Sequence, residues 1–214
     1  MFDNNVKVHF AGSDGEEIFY AALKCADTKY RLYSCYKYIK GKNKEDDFTL
    51  PYDHVIRDQI RTNRHVIQDS GLFTLMFGAG KGEKQTLESL MDWQDKLCKF
   101  VLQNNLDCSV VEIDCQKVLG VEEAWYLRER MKKIIPNRII NVFHYEDGKE
   151  GLNRLIDFSE YIAISVPEIR IVKPRTYKQD VCSLTRYIKK RKPDIDIHLL
   201  GCTELDLQIG RAHV

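Results

Sequence analysis

The stretch Val66-Ile67-Gln68-Asp69-Ser70-Gly71-Leu72-Phe73 decides the fold, because a short apolar run ends in an acidic residue and then a turn. Comparable apolar runs recur, and each is followed by a small or reactive residue: Asp114 after 110–113, His144 after 139–143, Ser165 after 161–164 and Gly201 after 197–200. Strands that alternate with helices predict a parallel α/β fold. In a barrel of this class, the carboxyl ends of the strands build the active site.

The hydrophobic pattern predicts seven strands, at 6–11, 30–34, 65–68, 108–114, 138–143, 161–164 and 195–200. It predicts helices at 16–26, 54–63, 86–104, 121–134, 149–158 and 180–191. This order indicates a TIM-type (β/α)8 barrel that is incomplete at its C-terminus, with about seven of its eight units. Residues 1–208 are interpreted as one truncated catalytic domain.

The last six residues, 209–214, have an unusual sequence, Ile-Gly-Arg-Ala-His-Val. Their back-translation, ATC GGA AGA GCA CAC GTC, resembles the start of a common sequencing adapter. We therefore interpret them as an artefact and exclude them from fold reasoning. The natural reading frame is expected to continue and to close the barrel.

Composition restricts the class of protein. The chain has 214 residues, 43% of them hydrophobic, and its 33 basic and 32 acidic side chains leave a net charge of +1. The N-terminus lacks a signal-peptide pattern, and no stretch is apolar enough to span a bilayer, so we predict a cytoplasmic protein without membrane contact. The seven cysteines are not at zinc-ligand spacing and are predicted to be reduced core thiols, with Cys115 the one candidate for reactivity because it follows Asp114.

Two strand-end carboxylates, Asp69 and Asp114, can converge on one small substrate. One would serve as a general base, and the other would accept hydrogen bonds from a polar ring. A second interpretation is a metal-dependent barrel lyase or hydrolase, with Asp69, Asp114 and His144 as ligands. A third is a barrel without catalysis that binds nucleic acid or a partner subunit.

The motifs resemble those of the tRNA-guanine transglycosylase superfamily. Asp69-Ser70-Gly71-Leu72-Phe73-Thr74 is similar to that family's Asp-Ser-Gly-Gly-Phe-Gln, and Asp114 matches its strand-four aspartate. The family's segments after strands five, six and seven fall at His144-Tyr145, Ser165-Val166-Pro167-Glu168 and Leu199-Leu200-Gly201. The sequence is more similar to the phage and bacterial branch that inserts 7-deazaguanine bases into DNA than to the tRNA enzymes.

The resemblance implies a base-exchange reaction on DNA or tRNA, in which an aspartate nucleophile displaces guanine through a covalent intermediate. It implies that Asp69 takes the ring proton of the incoming 7-deazaguanine and that Asp114 accepts hydrogen bonds from that base. The remaining residues expected to bind the base are Ser70, Gly71, His144, Ser165, Leu200 and Gly201. The family's nucleophile and zinc ligands lie beyond Gly201, so we expect no cofactor and no metal in this part of the chain, and we expect it to be inactive alone.

Basic residues for the phosphate backbone are predicted at Arg170, Lys173 and Arg175, in a loop on the catalytic rim. A second basic run, Lys189 to Lys192, closes a predicted helix, where cations also complement the helix dipole. The tyrosines at 30, 33, 36 and 38 could stack on bases, but their alternation favours a strand.

Overall fold

The computed structural model describes residues 7–12, 17–62, 65–77 and 84–202. Within them the chain forms two compact units, the first formed by residues 9–138 and the second by residues 139–202 with 7–8. The interpretation of residues 209–214 as an artefact concerns positions outside the described residues. No helix in the described segments is long and apolar enough to cross a membrane.

Parallel strands build the sheet of the first unit. Its strands are β1 (Phe10–Ala11), β2 (Tyr30–Ser34), β3 (His65–Asp69) and β4 (Ser109–Val111). Each pairs in parallel with the next one along the chain, with Arg31 opposite Val66 and Ile67 opposite Ser109. Its helices are α1 (Glu17–Cys25), α2 (Tyr36–Ile39), α3 (Val55–Arg61), α4 (Leu72–Phe77), α5 (Leu87–Gln103), α6 (Gln116–Leu119) and α7 (Val121–Ile134).

Helix α5 carries much of the core of the first unit. Thr86 and Ser89 form a reciprocal capping box at its start, so two main-chain N–H groups that would lack partners are satisfied. One face of α5 is buried, with Leu90, Leu97 and Phe100 fully enclosed. The helix packs against α7 and α2. The predicted amphipathic helix at 86–104 is therefore confirmed.

The second unit repeats the parallel arrangement. It contains β5 (Ile139–Phe143), a short 3-10 turn (Tyr145–Asp147), α8 (Gly148–Phe158), β6 (Tyr161–Ser165), α9 (Val166–Val172), α10 (Tyr177–Arg191) and β7 (Asp196–Leu200). β5 pairs with β6 and β6 with β7, all in parallel. The predicted α/β class is confirmed, and the (β/α)8 barrel stays a prediction.

Three local predictions are wrong. The basic segment predicted as a loop begins as helix α9, because Pro167 stands in its first turn, where a missing N–H and a fixed φ favour helix. Tyr36 and Tyr38 lie on helix α2 and not on a strand. Strand β4 ends at Val111, so Asp114 follows it in an irregular segment.

Candidate active site

Asp69 is the last residue of β3, where main-chain pairing fixes its position. It lies opposite Ser34 of β2, and its carbonyl accepts a hydrogen bond from the Cys35 N–H at 3.0 Å. Its side-chain Oδ1 accepts the Gly71 N–H at 2.8 Å, which closes a local turn. The carboxylate is therefore held in one orientation by the chain that follows it, and it stays partly exposed.

The turn after Asp69 is braced from two sides. The carbonyl of buried Ser70 accepts hydrogen bonds from the Trp93 indole N–H at 2.8 Å and from the Cys35 thiol at 3.0 Å. Gly71 has a φ of +71°, and a Cβ there would lie 2.9 Å from the main-chain nitrogen and from the Cβ of Tyr36. Only glycine meets both requirements. Ser70 and Gly71 thus position Asp69, and their contact with a base stays a prediction.

Asp114 follows β4 in the same unit and is also partly exposed. Burial raises the pKa of the Asp69 carboxyl, the Gly71 N–H opposes that rise, and the negative charge of Asp114 adds to it. Desolvation and a neighbouring like charge both disfavour the ionised form. The pair predicted from the sequence is thus electrostatically coupled, and Asp69 is a stronger base than an ordinary aspartate.

The acidic residue two positions before Asp114 has a different role. Glu112 is buried and forms a bidentate ion pair with Arg128, with both N–O distances at 2.7 Å. The Arg128 guanidinium also lies 4.4 Å from the centre of the Trp125 ring. Glu112 is therefore part of the core. Cys115 is buried as well, and burial raises its pKa to about 12, so the sequence-based suggestion of a reactive thiol there is wrong.

The second unit contains a histidine–carboxylate pair that the sequence analysis missed. His144 follows β5 and is buried, and its Nδ1 lies 2.9 Å from Oε2 of Glu168 on α9. The other carboxylate oxygen of Glu168 accepts the Tyr145 N–H at 3.1 Å. A carboxylate at Nδ1 fixes the tautomer and the ring orientation of a histidine. The available sequence signal was Pro167-Glu168, which is typical of a first helical turn.

Ser165, Leu200 and Gly201 lie together at the ends of β6 and β7. Ser165 stands opposite Leu200 in the strand register, and both are partly exposed. Gly201 has a φ of +63°, and a Cβ there would lie 2.8 Å from the Pro167 ring. His144 reaches the same edge, because Phe143 of β5 pairs with Ile164 of β6. Four of the predicted site residues therefore share one edge of the second unit.

The three predicted phosphate-binding residues are all exposed. Arg170 lies on α9, Lys173 is the residue that ends this helix, and Arg175 follows in a turn before α10. Between Glu168 and Asp180 every charged residue is basic. Ile171, between two of these cations, is 81% exposed. The segment therefore presents its cations and the apolar side chains of Ile171 and Val172 to solvent.

Within the described residues, no group of three or more His, Cys, Asp or Glu side chains is placed to hold a metal ion. No protein-family model, curated protein or solved structure matches this chain. The groups suited to chemistry are therefore the Asp69 carboxylate with Asp114 and the His144 ring with Glu168.

Proposed function

We propose that this chain belongs to an enzyme that exchanges guanine in nucleic acid for a 7-deazaguanine base. The observation that carries the proposal is the Asp69 carboxylate, oriented by Gly71 and with a pKa raised by burial and by Asp114. A general base works best when its pKa approaches the operating pH. The proposed architecture is the (β/α)8 barrel, whose repeating element is the parallel strand followed by a helix.

The two carboxylates are given different roles by their surroundings. Asp69 would take the ring proton of the incoming base, so that the ring nitrogen could attack the sugar. Asp114 would accept hydrogen bonds from the amino and ring N–H groups of the same base. A base edge that carries donors would neutralise the repulsion between the two carboxylates, whereas an edge that carries acceptors would add to it.

Four residues of the second unit are also proposed to contact the base. His144, oriented by Glu168, would donate to or accept from a polar edge of the base. Leu200 is proposed to pack against the face of the base, next to Ser165 and Gly201. Gly201 has a positive φ, and a Cβ there would clash with the Pro167 ring, so the position requires glycine. The absence of a side chain would let a flat ligand approach the main chain closely.

The proposed acceptor is a nucleic acid, DNA or tRNA, contacted through Arg170, Lys173 and Arg175. Their cations would neutralise phosphates, so affinity would fall steeply as salt rises. The target nucleotide would have to leave its stack to reach Asp69. The exposed Ile171 between the cations is suited to contact the unstacked neighbours, as apolar wedges do in proteins that open a base step.

Labelled guanine or 7-deazaguanine incorporation into DNA and tRNA tests this function, in the protein encoded by the full reading frame that contains the chain. Asp69→Asn keeps the acceptor for the Gly71 N–H but removes the base, and we expect a loss of roughly 10²–10⁴-fold. Asp114→Asn places an amide NH₂ group, which donates hydrogen bonds, opposite the N–H donors of the base. The variant should therefore bind the base more weakly. Asp53→Asn, at an exposed position, is the matched control and should behave as wild type.

The same experiment separates the competing functions. Exchange that is insensitive to a chelator and lost in Asp69→Asn supports the transglycosylase. Activity that disappears with a chelator and returns with a divalent metal would instead favour the metal-dependent lyase or hydrolase. Nucleic-acid binding without exchange would favour the non-catalytic barrel.

A further inference from the structure

A pocket lies on the first unit, at the edge of its strands opposite to Asp69. It has a volume of about 320 Å³, and its lining comes from α3 with Tyr52 before it and from the segment that leads into β4. The lining residues are Tyr52, Arg57, Ile60, Arg61, Asn104, Asn105, Leu106 and Asp107. α3 leads into the start of β3 and Asp107 precedes β4, whereas Asp69 ends β3. The pocket is therefore distinct from the candidate active site.

Two arginines of this pocket are fixed by neutral groups. Arg57 Nη2 donates to Oδ1 of Asn104 at 2.8 Å, and Asn104 is itself anchored by donating to the carbonyls of Phe48 and Phe100. Arg61 donates to the Tyr52 carbonyl at 2.9 Å, and its guanidinium lies 4.4 Å from the centre of the Tyr52 ring. Among the described residues, no carboxylate forms an ion pair with either arginine.

Arg57 has a donor that is left unsatisfied. Its Nε is buried and has no hydrogen-bond partner among the described residues. A buried donor without an acceptor is costly, and a bound ion is one of the explanations for such a group in a native structure. Arg57 also stands in the first turn of α3, where the helix dipole disfavours a cation.

The spacing of the two arginines adds a second unfavourable term. Arg57 and Arg61 are four residues apart on one helix, so they lie on the same face, and like charges at this spacing repel. A bound anion between them would remove the repulsion and accept the free Nε–H. Arginine forks match phosphate geometry with two parallel hydrogen bonds. Ile60 and Leu106 provide apolar contact beside them, and Asp107 could accept from a hydroxyl group.

We propose that this pocket binds a phosphate group, held by Arg57 and Arg61 and carried by a small phosphorylated molecule or by a nucleic-acid backbone. The volume lies at the lower end of the range for small-molecule sites, so the ligand is no larger than a nucleotide unit. This site goes beyond the proposed base exchange and does not depend on it, because none of its lining residues is given a role in that reaction.

The test titrates the 214-residue chain with inorganic phosphate, a nucleoside 5′-monophosphate and a short single-stranded oligonucleotide without terminal phosphate, at constant ionic strength. Binding is followed by calorimetry and by the methyl NMR signals of Ile60 and Leu106. The variants are Arg57→Lys and Arg61→Lys, which keep the charge and lose the fork. The control is Arg186→Lys, at an exposed position of α10.

We expect shifts at both methyl groups and about tenfold weaker binding in Arg57→Lys, because one charge-assisted hydrogen bond is lost. If Arg57→Lys melts at a lower temperature than the wild type, Arg61→Lys provides the same binding test. Preference for the monophosphate indicates a small ligand, and preference for the oligonucleotide indicates a backbone phosphate. The proposal is overturned if none of the probes binds, or if Arg57→Lys and Arg61→Lys bind as tightly as the control Arg186→Lys.

Discussion

Two pairs of titratable side chains follow strand ends in this molecule, one in each unit, and they differ in the sign of their interaction. Burial raises the pKa of Asp69, and the like charge of Asp114 raises it further. His144 and Glu168 can carry opposite charges and share a 2.9 Å contact. In the first pair the pKa of Asp69 is raised, whereas in the second pair Glu168 fixes the orientation of the His144 ring.

A third carboxylate, that of Glu112, has surroundings that differ from those of Asp69. Glu112 is two residues from Asp114, yet it is buried in a bidentate pair with Arg128 and serves the core. Two acidic residues on one short segment therefore have different surroundings. Loss of the cation from a buried ion pair is costly, whereas a carboxyl whose pKa is raised is a candidate for chemistry.

The largest expected effect concerns this core pair. Arg128→Met removes the bidentate partner of a buried carboxylate, and such losses cost about 3–5 kcal/mol. Chemical denaturation measures the free energy of unfolding of the variant. Arg186→Met, at an exposed position, is the control and should change it little. Equal stability of the two variants would contradict the assignment of Glu112 to the core of the fold.

Gly71→Ala tests how the Asp69 turn is built. The new Cβ meets the main-chain nitrogen of Tyr36 at 2.9 Å and requires a positive φ. Left-handed backbone and overpacking together should cost about 2–4 kcal/mol of unfolding free energy. Gly41→Ala has a similar φ of +73° with nothing within 4 Å of the new Cβ, so it should lose only about 1–2 kcal/mol. A smaller loss at Gly71 than at Gly41 would contradict the close approach.

The His144–Glu168 pair is tested by Glu168→Gln. Glutamine keeps an acceptor for the Tyr145 N–H but loses the charge that faces His144 Nδ1. We expect a loss of about 1–3 kcal/mol and a changed tautomer in the ¹⁵N spectrum of His144. Glu150→Gln, at an exposed position of α8, is the matched control. An unchanged His144 spectrum would show that Glu168 does not set the tautomer.

The smallest expected effect is that of Asp69→Asn on the stability of the fold. The pKa of Asp69 is raised in the folded state, so ionisation of this carboxyl costs more there than in the unfolded chain. The wild type therefore loses stability as the pH rises from about 3.9, the ordinary aspartate pKa, through the pKa of the folded state. Asp69→Asn does not titrate, so it should melt higher than the wild type at neutral pH, and the difference should shrink as pH falls toward 3.9. Thermal melts over a pH series measure this. A lower melting temperature for Asp69→Asn than for the wild type at neutral pH would contradict the predicted sign.

Long elements were predictable because their ends carry local signals. The predicted helix at 121–134 matches α7, which begins after Gly120 and ends shortly before Pro136. The short helices α2, α4, α6 and α9 were missed, since four to seven residues give too little periodicity to recognise. Helix α9 was the most accessible of them, through Pro167 and Glu168 in its first turn.

The site was only partly predictable for a different physical reason. The positions of Asp69 and His144 followed from strand ends, because apolar runs stop there. Their partners did not, since the contacts of Trp93 with Ser70 and of Glu168 with His144 join segments that are 23 and 24 residues apart. Such pairings depend on how the helices pack, and no local pattern encodes them.

The most direct test of the central claim is a ¹³C NMR titration of the Asp69 carboxyl in the wild-type chain, assigned by its loss in Asp69→Asn. Burial and the charge of Asp114 predict a pKa above the ordinary aspartate value of about 3.9. A pKa at or below the ordinary value would mean that the Gly71 hydrogen bond dominates. Asp69 would then be a capped structural carboxylate, and the case for a general base at this position would be lost.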